Sequence, residues 1–304
     1  MYAANSENPW MRDVANASRR IPAWIAAAAA ALFAIAVLQV FKTWGAALQE
    51  NIVGAVSHFP GPWPDILASA AMQGLIFGLF LAAALAATRI EGRPLWRQGP
   101  GRLSSGLTGA LVGSGGFGTA VGIAAVAGAV TVGAGPTPPS PLSAIAFGAA
   151  VVALQSVAEE AFFRGWLQPV LCARWGAWPG LLVASLLFAG LHIIAGVQGP
   201  LTGEGAFAVV NLFLGGVLFG LLALRTGNLF APAAAHFAWN WTESGVLGLN
   251  PDPSGSLVSL TLTGAKLWNG GLDTMNGSLA TTLVLTALVV SFLFLPTRHP
   301  PTGR

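Results

Sequence analysis

Long apolar blocks are the feature that most constrains what this sequence can fold into. The first runs from Ile21 to Phe41, and similar blocks follow to the end of the chain. About 20 apolar residues in a helix span the roughly 30 Å hydrocarbon core of a bilayer, because each residue adds about 1.5 Å. Hydrophobic residues make up 54% of the chain and mean hydropathy is +0.68. The sequence therefore predicts an all-α polytopic membrane protein with about eight transmembrane helices.

Turn residues and polar stretches separate the predicted spans. The spans cover residues 21–41, 66–87, 107–132, 142–171, 181–194, 207–224, 229–247 and 279–295. The proline-rich segment from Gly135 to Pro141 breaks the chain before the fourth span. The glycine-rich run from Gly113 to Gly116 lacks the Lys-Ser/Thr ending of a phosphate loop, so it predicts close helix packing. Alternation over residues 257–262 predicts a short hairpin.

These boundaries predict six regions along the chain. They are a cytoplasmic tail (1–20), spans one to three (21–135), a core of spans four to seven (141–247), an extracytoplasmic loop (248–278), the last span (279–295) and a cytoplasmic tail (296–304). Basic residues orient membrane proteins because they are retained on the cytoplasmic side. With both termini inside, Lys42 and Lys266 are the basic residues in outside loops.

Charge and cysteine content narrow the function classes. The net charge is +3, but the basic residues are spread thinly between apolar blocks, so we expect the lipid bilayer rather than nucleic acid as the partner. The single cysteine, Cys172, excludes an intramolecular disulfide framework and a CxxC motif.

Charged residues inside the fourth span point to chemistry. Glu159, Glu160 and Arg164 lie in apolar sequence, although only 8% of the residues are charged. An ionisable group at bilayer depth costs about 2.5–3.5 kcal/mol and usually marks a functional site. Glu160 and Arg164 are four residues apart, so they meet on one helix face, whereas Glu159 points about 100° away. Burial favours the neutral form of an unpaired carboxyl group, so Glu159 suits a general base.

Two further polar groups lie inside later spans. His192 is in span five, and His236, Asn240 and Glu243 share one face of span seven. Counting helix rise from the span ends places Glu159, His192, His236 and Asn240 in the cytoplasmic half of the membrane. Glu243 has two interpretations, as an additional ligand or proton carrier, or as a charge that reaches water at a cavity.

Three motifs carry a family resemblance. Glu159-Glu160-x-x-x-Arg164, Phe188-x-x-x-His192 and His236-x-x-x-Asn240 resemble, in order and on separate spans, those of the CAAX protease and bacteriocin-processing (CPBP) family, also called the Abi or CAAX prenyl protease-like family. The resemblance covers roughly residues 142–247. It implies an intramembrane endopeptidase of the bacterial cytoplasmic membrane that acts on membrane-associated peptides or proteins.

The resemblance also implies residue roles. Glu159 and His192 would activate a water molecule, His236 and Asn240 would stabilise the oxyanion, and Glu160 with Arg164 would support the site. Carboxylate and imidazole can carry the proton, and imidazole and carboxamide N–H groups suit an oxyanion. We therefore expect no required cofactor as the first choice.

A zinc site is the alternative for the same residues. The family is often labelled metal-dependent. If this protein were a metalloendopeptidase, Glu159, His192 and His236 would be the ligands of a Zn²⁺ ion. The sequence contains no HExxH motif.

Two other functions use similar residues. A non-catalytic membrane scaffold or bacteriocin self-immunity protein would share the fold. A proton-coupled transporter would also bury Glu and His, but it predicts related halves with inverted repeats. Here the polar groups are confined to the second half of the chain, which favours the protease.

Overall fold

The computed structural model describes residues 21–95, 102–133, 142–195, 204–250 and 252–294. The predicted tails and the proline-rich breaker at 135–141 lie outside the described residues. Nearly all of the described chain is helical, which confirms an all-α polytopic membrane protein. The α-helices are α1 (Ala23–Val56), α2 (Trp63–Glu91), α3 (Arg102–Val126), α4 (Leu142–Glu160), α5 (Gln168–Trp175), α6 (Ala177–Ala195), α7 (Glu204–Thr226), α8 (Phe230–Trp241), α9 (Lys266–Asn269) and α10 (Leu279–Phe294).

Six apolar helical stretches among the described residues are long enough to cross a membrane. They correspond to predicted spans one to six. The regions predicted as spans seven and eight are also helical, but α8 has 12 residues and α10 has 16. At about 1.5 Å per residue, α10 is about 24 Å long, shorter than a typical hydrocarbon core. The count of eight spans and the cytoplasmic termini therefore stay predictions.

The fourth span is interrupted where the charged motif lies. A π-helical segment (Ala161–Leu167) joins α4 to α5, and a second (Thr242–Val246) follows α8. A π-helical turn inserts an extra residue and is frequently found at functional sites. Both π segments are next to sequence-predicted site residues, since the first begins directly after Glu160 and the second contains Glu243.

The predicted hairpin at 257–262 is wrong in its pairing. One strand forms there, β2 (Leu260–Leu262), but its antiparallel partner is β1 (Val130–Val132). The predicted third span also ended too late, because α3 stops at Val126 and the chain turns through Gly128 at φ 73°. Alternation within one segment indicates a strand but does not identify its partner.

Glycines in α3 allow a very close approach to α8. A Cβ atom added at Gly109 would lie 2.1 Å from the Ala231 carbonyl oxygen, and one added at Gly113 would lie 2.2 Å from that of Ala235. Real Cβ atoms do not approach so closely, so only glycine fits at these positions. The glycine-rich run thus serves helix packing, as the sequence predicts, and it fixes the helix that carries His236.

Two large apolar clusters lie in the interior of the described chain. One joins α1, α2, the end of α4, the first π segment, α5 and α6, and the other joins α3, the start of α6, α7, α8 and α10. Glu160 is at the end of α4 beside the first cluster, whereas His236 is on α8 in the second. The bond between these two side chains therefore joins the two clusters, and the predicted site residues lie at that junction.

Candidate active site

A cavity of about 530 Å³ contains most of the predicted site residues. His192, His236, Asn240 and Glu243 line it directly. Glu159 contacts two lining side chains, His192 and Gln155. Two groups of polar side chains surround the cavity: the motif cluster (Glu159, Glu160, Arg164, His192 and His236) and the loop cluster (Glu243, Thr274 and Asn276).

Glu160 binds two partners from different parts of the chain. Its Oε1 accepts a hydrogen bond from Arg164 Nη1 at 2.8 Å, so the structure contains the ion pair that the i,i+4 spacing predicts. The same oxygen also accepts from His236 Nδ1 at 2.9 Å. The two bonds tie the first motif to the third across 76 residues of sequence. Sequence reasoning did not find this second contact.

Arg164 is a fully buried cation with several partners. Its Nη2 donates to the Gly216 carbonyl oxygen at 3.0 Å, and its guanidinium lies 4.6 Å from the centre of the Phe188 ring. A guanidinium over an aromatic face is stabilised by the ring quadrupole. Breaking a buried ion pair by removing one partner costs about 3–5 kcal/mol, so Glu160 and Arg164 depend on each other.

A second arginine holds the π segment from outside the motif. Arg93 Nη1 donates to the Gly165 carbonyl oxygen at 3.1 Å and Nη2 to that of Trp166 at 3.3 Å. Its Nε donates to Glu91 at 2.6 Å. Carbonyl groups at an irregular helical turn need partners, which Arg93 supplies. The backbone that carries Arg164 is thereby fixed from the end of α2.

Glu159 and Glu160 each have an Oε2 that is buried without a hydrogen-bond partner among the described residues. Glu159 differs in the donor to its other oxygen. Its Oε1 accepts a hydrogen bond from Gln155 Nε2 at 3.2 Å. Its Oε2 is buried without a hydrogen-bond partner among the described residues and lies 3.8 Å from His192 Nε2. The unsatisfied oxygen therefore faces the imidazole that the sequence assigns to the same chemistry.

The protonation of both imidazoles follows from their Nδ1 partners. His192 Nδ1 lies 2.8 Å from the Phe188 carbonyl oxygen, and His236 Nδ1 lies 2.9 Å from the Glu160 carboxylate. Both partners only accept, so each Nδ1 carries a proton. A neutral ring then presents Nε2 as an acceptor. His236 can donate to an oxyanion from Nε2 only as an imidazolium, whereas the Asn240 carboxamide can donate in its ordinary form.

Aromatic rings hold the two histidines in place. The Phe188 ring lies 4.4 Å from the ring of His192 and 6.1 Å from that of His236. The Phe219 ring stacks against the ring of His236, with centroids 4.9 Å apart and an interplanar angle of 17°. Phe188, at the start of the Phe188-x-x-x-His192 motif, thus supplies both a carbonyl acceptor for His192 Nδ1 and an aromatic ring that packs against His192.

Glu243 belongs to the loop cluster rather than to the motif cluster. Its Oε1 accepts from Thr274 Oγ1 at 2.5 Å and its Oε2 accepts from Asn276 Nδ2 at 2.6 Å. Asn276 Oδ1 in turn accepts from Trp239 Nε1 at 2.9 Å. Both partners come from a 3₁₀ segment (Gly271–Gly277) in the predicted outer loop. These contacts favour an anchoring role for Glu243, which differs from both interpretations that the sequence left open.

The described side chains do not fit the alternative zinc site. When its ring is neutral, each histidine has an Nε2 atom with the chemistry that a zinc ligand needs. However, no group of three His, Cys, Asp or Glu side chains in the described ranges is arranged to hold a metal ion. The three residues of the alternative, Glu159, His192 and His236, therefore form no such group, and the Phe188 ring packs against both imidazoles.

Comparison with known proteins identifies the region that contains these residues. Residues 141–242 match the family model described as type II CAAX prenyl endopeptidase Rce1-like. The same comparison against curated proteins and against solved structures finds no match. The matched segment contains all three motifs, from Glu159 to Asn240, and the family is one of CAAX-type intramembrane proteases. Residues 141–242 of this membrane protein are therefore similar to the CAAX prenyl endopeptidase Rce1-like family, and the similarity covers the segment that carries the three motifs.

Proposed function

We propose that the protein is an endopeptidase that hydrolyses peptide bonds of membrane-associated proteins or peptides with a water molecule activated by Glu159 and His192. The observation that carries this proposal is the pair of acceptors formed by Glu159 Oε2 and His192 Nε2, 3.8 Å apart. One water about 2.8 Å from each would subtend an angle of about 85°, within the range that a water molecule can bridge. Two acceptors in this arrangement are suited to a water that donates both of its protons.

The reaction follows from this geometry. Glu159 accepts a proton from the water while its oxygen attacks the scissile carbonyl carbon, forming a tetrahedral oxyanion. The proton then passes to the nitrogen of the leaving amine, the C–N bond breaks, and a new carboxyl group and a new amino group are released. General acid–base catalysis of this kind typically contributes a factor of about 10²–10⁴.

Asn240 and His236 are the proposed oxyanion partners. Both line the cavity with His192, and Asn240 follows His236 by one helical turn. The Asn240 carboxamide can donate at any pH, whereas His236 Nε2 donates only when the ring is an imidazolium. Glu160 orients His236 through Nδ1 and is itself held by Arg164. These two residues are positioning residues in the proposal.

The setting of the site completes the proposal. We place it in the cytoplasmic half of a bacterial cytoplasmic membrane, with both chain termini in the cytoplasm. The basis is the distribution of basic residues and the depth counted from helix rise. No cofactor is required in this mechanism, and the partners are the lipid bilayer and a peptide or protein substrate.

The experiment compares membrane proteomes of cells that produce the wild type and the Glu159→Ala variant at equal levels. Peptide fragments that depend on Glu159 would identify substrates and cleavage sites. We expect cleavage to be abolished by Glu159→Ala while membrane insertion is retained. Proteolysis that continues undiminished in the variant would contradict the proposed role.

A further inference from the structure

Gln155 lies one helical turn before Glu159 and is not part of the three motifs. It is half-buried and lines the cavity from α4. Its Nε2 donates a hydrogen bond to Glu159 Oε1 at 3.2 Å. Among the described residues, this is the hydrogen bond that the Glu159 carboxylate receives. The buried cation of the site, Arg164, donates instead to Glu160 and to the Gly216 carbonyl oxygen.

This hydrogen bond determines which oxygen of Glu159 lies near His192. The terminal torsion of a glutamate is broad, so an unheld carboxylate rotates and presents either oxygen. Gln155 occupies Oε1, and Oε2 is left buried and without a partner, 3.8 Å from His192 Nε2. A general base must lie within hydrogen-bond reach of its proton in a fixed geometry. The Gln155 carboxamide thus supplies a hydrogen bond to Glu159 Oε1 that fixes the orientation of the carboxylate, and no residue of the three motifs supplies such a bond among the described residues.

We propose that Gln155 is a positioning residue that holds the Glu159 carboxylate in the orientation needed for water activation. The proposal rests on the proposed function of Glu159. It separates two roles on one face of α4, because Gln155 fixes Oε1 and Glu159 carries out proton transfer through Oε2.

The test measures kcat and KM for the full chain in lipid vesicles, with a peptide that carries a cleavage site found in the proteome comparison. Gln155→Met keeps the length of the side chain and removes its N–H donor, and Gln155→Ala removes the side chain beyond Cβ. Gln73→Met is the matched control, because Gln73 also lines the cavity but donates to Ser69 on its own helix. Thermal melting verifies that each variant is folded.

We expect both Gln155 variants to lower kcat by at least about tenfold, the effect of losing one hydrogen bond to a charged group, with KM within about twofold of wild type. Gln73→Met is expected to act on KM more than on kcat. A Gln155 variant that retains kcat within about twofold, or that only raises KM, would overturn the proposal. If the wild type shows no Glu159-dependent cleavage, the proposed function fails instead.

Discussion

The motif cluster and the loop cluster surround the same cavity but use their carboxylates differently. In the loop cluster, both oxygens of Glu243 accept short hydrogen bonds from Thr274 and Asn276. In the motif cluster, Glu159 has one oxygen held by Gln155 and the other buried without a partner among the described residues. A buried polar atom without a partner is costly and needs a functional explanation. Glu160 Oε2 also lacks a partner among the described residues, so the proposed reactive role of Glu159 depends on the position of its Oε2, 3.8 Å from His192 Nε2. The contacts of Glu243 support a fastening role as a proposal.

Glu160 in the motif cluster pairs with both Arg164 and His236. Its removal should therefore have the largest effect on stability and cleavage. Glu160→Ala leaves the buried Arg164 without its carboxylate and His236 without its Nδ1 acceptor. We expect a loss of about 3–5 kcal/mol in the free energy of unfolding, together with loss of cleavage. Thermal melting in detergent would measure the first and peptide cleavage the second.

The control for this change is an exposed carboxylate on α1. Glu50→Ala removes the same number of atoms from an exposed position. Surface substitutions away from buried networks have small effects on stability. If Glu160→Ala melted at the same temperature as Glu50→Ala, the proposed link between the first and third motifs would be wrong.

Asn240 tests whether the motif cluster includes an oxyanion donor. Asn240→Ala should lower kcat by about 10²–10³, as expected for removal of one oxyanion donor, without lowering the melting temperature. Asn250→Ala is the matched control because Asn250 also lines the cavity. Equal kcat values for the two variants would remove Asn240 from the proposed oxyanion site.

Glu243→Gln should separate the loop cluster from catalysis. The carboxamide cannot accept through both of its terminal atoms, so one of the bonds from Thr274 and Asn276 is lost. We expect a loss of about 1–3 kcal/mol in stability, with kcat within about threefold of wild type. Thr274 has a φ of 55°, a conformation that is uncommon for a non-glycine residue. A protease that cuts the released loop should therefore cleave the variant faster. A drop in kcat without loss of stability would show that Glu243 belongs to the reactive group.

Metal removal is expected to have the smallest effect. No three candidate ligands in the described part of the chain are grouped for a metal ion, so exhaustive chelation should leave kcat unchanged. The measurement is cleavage of the same peptide before and after dialysis against a chelator. Activity that disappears and returns with added Zn²⁺ would favour the alternative metalloendopeptidase mechanism.

Local spacing made part of this arrangement predictable from the sequence. Apolar blocks predicted the helices, and the i,i+4 spacing predicted the contact of Glu160 with Arg164. The glycine-rich run predicted close packing, which occurs between α3 and α8. These three predictions were possible because each depends only on neighbouring residues, either within one helix or in the glycine-rich run.

Contacts between distant segments could not be predicted in the same way. Glu160 and His236 are separated by 76 residues, and Glu243 and Asn276 by 33. Such pairs depend on how the helices pack and on where residues 248–278 lie against them. The spacing of residues within one helix predicts neither. Gln155 is different, because its i,i+4 spacing to Glu159 was visible in the sequence. A neutral side chain costs less to bury in an apolar span than a charged one, so its presence there is a weaker indication of a functional site.

The most direct test of the central claim is single-turnover cleavage by purified Glu159→Gln, compared with Glu243→Gln under the same conditions. Both changes replace a buried carboxylate with a carboxamide of the same size. The account predicts that Glu159→Gln cleaves at least about 10²-fold more slowly than wild type at an unchanged melting temperature, while Glu243→Gln cleaves within about threefold of wild type. Near-normal cleavage by Glu159→Gln would contradict the account.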